Sequence, residues 1–242
     1  MRKWVIVFLA AVLPVLGMIS AADTGPLFVP KDGENLTYRV SCTLVIEINL
    51  GEEHLNAVKT TNEEGRSMLR TDQIVESTTS LVSYSEKRSV LWDPRDMIPV
   101  SEDSMVTQGG NTNQESIRFL LDQNLVMIDR NGAKNQVAYE PGLQTSTSLI
   151  HYLRTFPWER GITRIPLLVN NQVKWVSFEV KEEKEAKKVD FGQFDRVYHI
   201  YNEQLKYSIW FDRGPGHLPL EIRSKLSVGL AKAVLTKAVG YK

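Results

Sequence analysis

The sequence predicts a mainly β (α+β) fold, a large curved antiparallel sheet or half-barrel carrying one helix or a few. Three observations predict it. Apolar and polar residues alternate over 36–50, further strand-like runs separated by turn residues follow, and only 145–154 carries a helical pattern. Many strands around a single clear helix belong to the β or α+β class.

The alternation is the strongest of the three. Leu36, Tyr38, Val40, Cys42, Leu44, Ile46, Ile48 and Leu50 fill the even positions, and Val45 is the sole apolar residue among the odd ones between them. A period of two gives a strand one dry face and one wet face. The run is longer than the usual strand of about five or six residues. It therefore predicts one long strand, ended by Gly51, in a large curved sheet or a barrel.

The remaining elements follow from local chemistry. Residues 60–65 (TTNEEG) read as a turn, followed by strands within 67–84 and at 88–92. Pro94 and Pro99 are expected to interrupt regular structure near 93–99, and 108–113 (QGGNTN) has the composition of a flexible loop. Strands at 116–121 and 125–130 lead into Asn131-Gly132, a hairpin turn returning through 136–139. Thr145 and the hydroxyls after it cap a helix that carries Leu149, Ile150, Tyr152 and Leu153 and stops before Pro157. Strands at 162–169 and 173–180 flank an Asn170-Asn171 turn. The mixed-charge run 181–188 reads as a solvated turn or strand end, and strands at 196–201, 205–211, 220–227 and 231–239 follow.

Residues 1–22 have the three parts of a cleaved secretory signal: a basic Met1-Arg2-Lys3, an apolar stretch over 4–16, and small residues before a cut between Ala22 and Asp23. The rest, 23–242, is expected to be a single β-rich domain. No cysteine stands where a lipid attachment site would need one, so the mature protein is expected to be soluble and not membrane-spanning. The lone Cys42 cannot form an internal disulfide and reads as a small buried hydrophobe. Removing Arg2 and Lys3 from the 29 basic residues leaves 27 against 29 acidic ones, a net charge near −2. That balance argues against nucleic acid and against an anionic membrane surface as partners.

The chemistry of an enzyme is missing from the sequence. His54, His151, His199 and His217 are scattered, with no metal-ligand spacing, and no nucleophile elbow, phosphate loop or dinucleotide fingerprint occurs. His151 is expected to be a partly exposed structural residue. Asp190, Asp195 and Asp212 show no spacing that singles them out. The expectation is a protein without catalytic residues, metal or cofactor.

Several short segments carry a resemblance. They are Gly33-Glu34-Asn35-Leu36-Thr37-Tyr38, the helix from Ser148 through Tyr152 to Arg154, Gly161 with Ile165-Pro166-Leu167, Phe191-Gly192-Gln193-Phe194, Ile209-Trp210-Phe211-Asp212, and Leu218-Pro219-Leu220-Glu221-Ile222. In that order they resemble DUF3108, a family of bacterial exported proteins, at both ends of the chain with a poorly matched middle over 51–139. Thr145 stands where that family often has Asp, so any role of that acid is absent here. The family's strand pattern is similar to that of the periplasmic lipoprotein carriers, whose curved sheet wraps helices around an apolar hollow. The resemblance implies a periplasmic location and a carrier of an apolar ligand, a lipid or a lipoprotein acyl chain. The hollow would be lined by Tyr38, Val40, Leu44, Ile46 and Ile48, with Leu149, Leu153, Trp158, Trp175, Phe178 and Trp210 closing it. The same residues fit an ordinary filled core, which leaves a non-enzymatic envelope scaffold as the second reading; its protein partner is open.

Overall fold

The computed structural model describes residues 28–43, 47–77, 83–155, 161–214, 216–226 and 229–241. The expected signal at 1–22 and the expected cavity residues Leu44, Ile46 and Trp158 lie outside them. The first half of the chain forms β1 (Glu34–Thr43), β2 (Glu47–Thr61), β3 (Ser67–Ser77), β4 (Tyr84–Asp93), β5 (Ile98–Gln108), β6 (Asn111–Leu120), β7 (Leu125–Arg130) and β8 (Ala133–Ala138). Helix α1 (Ser146–Arg154) follows, then β9 (Gly161–Val169), β10 (Gln172–Glu183), β11 (Lys187–Val189) and β12 (Gly192–Phe194). The last four strands are β13 (Val197–Asn202), β14 (Tyr207–Asp212), β15 (Pro219–Leu226) and β16 (Gly229–Val239).

Fourteen strands join in one antiparallel sheet, in the order β8-β7-β6-β5-β4-β3-β2-β1-β16-β15-β14-β13-β10-β9, and β11 and β12 form a small hairpin apart from it. The chain enters at the middle of the sheet, winds outward to β8, crosses to the opposite edge at β9, and winds back to lie beside β1. Helix α1 is that crossover, so it must run over one face. It touches β4 on one arm and β9 on the other. Further out, Ile117, Phe119, Val126 and Ile128 of β6 and β7 pack with Leu168 and Val173 of β9 and β10. Opposite ends of the strand order can share a cluster only if the sheet curls around the helix. The sheet is barrel-like but not closed by a ladder. Part of the free edge of β9 is taken by Gln144, whose N–H donates to Pro166 O at 2.9 Å and whose carbonyl accepts from Leu168 N–H at 2.8 Å. Pro166, with no N–H to give, suits such an edge strand.

Three sequence expectations are corrected. The long strand over 36–50 is two strands: Thr43 lies opposite Glu47 and Cys42 opposite Ile48. Paired positions there share parity, so the alternation passes through the reversal without a break in phase. Gly51 does not end a strand; it sits inside β2, at the bulge where the register shifts between Val40 and Ser41. Its φ is +146°, and a methyl group there would lie 1.9 Å from Glu76 O of β3. Gly51→Ala is expected to destabilise by about 2–4 kcal/mol through strain and overpacking, read from the midpoint of a urea transition. The second correction is 108–113, which is no loose loop. Gly109 and Gly110 have φ of +56° and +84° and form a tight two-residue hairpin between β5 and β6. Pro99 likewise stands within β5, at the register shift facing Trp92, where a bulge tolerates it.

The main core lies between α1 and the C-terminal arm. Leu36, Tyr38 and Leu55 join Leu149 and Leu153 of the helix and Phe178, Ile200, Ile209 and Phe211 of the later strands. Among the described residues no helix is long and apolar enough to cross a membrane.

Candidate functional site

Helix α1 is fixed at both ends by charge, and these contacts position everything near it. Thr145 caps it, accepting from Ser148 N–H at 3.0 Å, while Ser148 Oγ accepts from Thr145 N–H at 2.8 Å. Thr145 Oγ1 also donates to Glu102 of β5, and Thr147 Oγ1 donates to the other oxygen of that carboxylate at 2.8 Å. A carboxylate beside a helix N-terminus meets the positive end of the dipole. At the other end Arg154 is fully buried; its Nη1 and Nη2 donate to Glu34 of β1 at 2.5 and 2.9 Å and its Nε and Nη2 to Gly216 O. Its guanidinium lies 4.4 Å from the Phe28 ring centroid.

The expected hollow is filled. Tyr38, Leu149, Leu153 and Phe178 meet in one core cluster, with Val40 half-buried against it, and the Tyr38 hydroxyl donates to Pro219 O at 2.8 Å. These residues pack on one another. Three other expected lining residues stand elsewhere. Ile48 is half-buried opposite Cys42, outside that cluster. Trp175 is 48 % exposed, on the face of β10 opposite to buried Val176 and Phe178. Trp210 alternates with Ile209 and so faces the other side of the sheet, where it stacks on His199 with centroids 4.2 Å apart. Lys187 Nζ and the Arg223 guanidinium lie 4.2 and 4.7 Å from its ring centre, and both cations pair with Glu221. Trp210 thus anchors the β11–β12 hairpin to the outer face.

The open space lies instead at the N-terminal end of α1. A cavity of about 500 Å³ there has two unlike walls. One is apolar, made by Leu149, Leu167, Leu168, Val169, Leu205 and Tyr207; the other is charged, made by Arg88, Glu115 and Arg130, with Ser146 between them. A smaller well of about 200 Å³ shares Arg88, Ser146 and Tyr207 with it and is lined further by Glu53, Gln73 and Glu86. The register explains the charged wall, because Gln73, Arg88, Ser104, Glu115 and Arg130 stand opposite one another across β3 to β7. Arg88 donates to Glu86 and, at 3.3 Å, to Thr147; Arg130 Nε donates to Glu115 at 2.7 Å. A separate hollow of about 460 Å³, lined by Lys87, Asp103, Gln114 and Asp129, has Met105 as its one large apolar residue.

Two buried titratable groups sit nearby. Desolvation raises the Glu53 carboxyl from 4.5 to about 7, with Glu86 adding repulsion and a hydrogen bond from Gln73 at 2.6 Å opposing it. Below pH 4.5 both folded and unfolded states hold this proton. As pH rises from there through about 7 the unfolded chain releases it first, and stability falls by about 3 kcal/mol. Glu53→Gln removes the loss. The variant is expected to melt several degrees above the parent near pH ~8 and level with it near pH ~4. His151 is buried, edge-on to Trp92 at 6.2 Å, with no hydrogen bond at Nδ1, and burial lowers it from 6.5 to about 3. It is neutral throughout the working range, and more enclosed than the sequence suggested. Among the described residues no three His, Cys, Asp or Glu side chains gather as for a metal ion.

The DUF3108 family, described as a protein of unknown function, matches residues 37–236. The chain belongs to that family. The match takes in the middle of the DUF3108 chain and the short motifs, save residues 33–36 of the first, which precede it. No curated protein matches it. Among solved structures it is similar to a crystal structure from Brucella abortus, a beta-barrel-like protein of the domain of unknown function DUF1849. The TM-score is 0.56 at 9 % identity, covering 88 % of this chain and 99 % of that one. The likeness is one of fold.

Proposed function

We propose that the protein is an exported, periplasmic, non-enzymatic binding protein that holds an amphipathic ligand, such as a lipid or a lipoprotein acyl chain together with its polar end. The two-walled cavity at the N-terminus of α1 carries this reading. Its volume lies in the ~300–1,000 Å³ range of small-ligand sites, and apolar Leu149, Leu167 and Leu205 face charged Arg88 and Arg130 across it. Burying an alkyl chain along the first wall contributes about 0.8 kcal/mol per CH₂. The second wall would be a poor neighbour for a purely apolar ligand, because its ion pairs would lose water without gaining a partner. A binding role also fits His151, which is neutral and pressed against Trp92 instead of being set beside a nucleophile.

The test is native mass spectrometry and solvent extraction of the protein purified from periplasm. Co-purified amphiphile, lost from a Leu205→Arg variant that still folds, supports the proposal. An empty protein that binds no added amphiphile would leave the envelope scaffold, which the filled core around Phe178 favours.

A further inference from the structure

We infer that the well beside the main cavity is a receptor for a primary ammonium group, so that the ligand class is an amphiphile with a cationic head. This rests on the amphiphile-binding reading above and names the head that the well selects. Glu53 is 7 % exposed, projects from β2 into the well, and among the described residues accepts one hydrogen bond, from Gln73, on Oε1. Among the described residues no Lys, Arg or His pairs with it. A carboxylate so deeply enclosed ordinarily carries a counter-charge.

The other charges facing the well do not supply one. Glu86 has the same sign; it accepts from the Tyr84 hydroxyl and from Arg88 Nε. Arg88 is turned to Glu86, to Thr147 and, at 3.6 Å, to Glu102. An anionic head would therefore sit against two carboxylates whose cation is already engaged. A primary ammonium brings both a positive charge and three N–H donors, and Glu53 has a free oxygen to accept one. The apolar side of the well, Ile150 and Ile222, continues toward Tyr207, which it shares with the larger cavity. An alkyl chain attached to a seated ammonium thus has a path onto the Leu149–Leu205 wall. Burial also raises the Glu53 carboxyl, as expected of a group whose partner is absent.

The experiment compares three ten-carbon amphiphiles, decylammonium, decanol and decanoate, by calorimetric titration of the full protein below their micelle thresholds. Decylammonium is expected to bind about tenfold or more tighter than decanol, the gain of one charge-assisted hydrogen bond, with decanoate weakest. In Glu53→Gln, which keeps the side-chain shape and is expected to be at least as stable, decylammonium should fall to the level of decanol while decanol binding is unchanged. Decanoate binding as tightly as decylammonium overturns the inference, as does a preference for ammonium that survives in Glu53→Gln. If decanol and the two ions all fail to bind, the amphiphile reading itself falls with it.

Discussion

Arg154→Met is expected to cost about 3–5 kcal/mol of folding stability, because it leaves the Glu34 carboxylate buried with no counter-charge. The pair is enclosed on every side: both side chains are at most 1 % exposed, and the two hydrogen bonds of this bidentate contact tie the last turn of α1 to the start of β1. The Gly216 carbonyl before β15 would lose its two donors as well. The double variant Glu34→Leu/Arg154→Met removes both charges and is expected to recover most of that loss. A double-mutant cycle by guanidinium denaturation reads the difference directly. Equal damage from single and double variants would show that packing, not charge, fixes this end of the helix. High salt should change little, since screening acts weakly on a pair out of reach of water.

Phe178→Ala is expected to be comparably severe, about 3–5 kcal/mol, as for other buried aromatic truncations. Phe178 is fully buried among Leu149, Leu153 and Ile200. The filled core and the apolar hollow differ sharply in this one substitution. A core residue takes stability with it; a lining residue leaves the fold intact and takes ligand affinity. A large drop in melting temperature, with unchanged relative affinities for decylammonium and decanol in the molecules still folded, is the expected result. A variant that melts like the parent but loses amphiphile binding would return Phe178 to the ligand.

Both effects arise from contacts that no local pattern records. The class of fold was legible, because strands and hairpin turns are written in short periods: Asn131-Gly132 and Asn170-Asn171 both turn with positive φ where the sequence placed them. The reversal between β1 and β2 was not, since same-parity pairing of Cys42 with Ile48 keeps the apolar face in phase. The change of parity beyond Gly51, where Glu53, Leu55 and Ala57 turn inward, marks the bulge within β2 and not the turn before it. The site was legible only in part. Leu149 lines the cavity at the N-terminal end of α1, not the hollow expected for it, and Trp210 and Trp175 drew notice for their size while facing outward. The charged wall came unannounced because Gln73, Arg88, Glu115 and Arg130 belong to four different strands. Each is an unremarkable polar residue until register lines them up. The nearest sequence clue is that β3 to β6 lack the clean alternation of the first segment, which is what a sheet with charge on its inner face should show.

The pairing of β1 with β16 has a consequence for how the molecule is made. Asn35 meets Val239 about two hundred positions along the chain, and this seam lies at the centre of the sheet, not at its rim. Contacts of such long range are slow to form. Strands β1 to β8, each pairing with its neighbour, can assemble as they emerge, yet β1 keeps one unsatisfied edge until the last strand arrives. A chain interrupted before residue 229 would present that edge as a template for other strands. Molecules truncated late in synthesis should then be far more aggregation-prone than their missing length suggests.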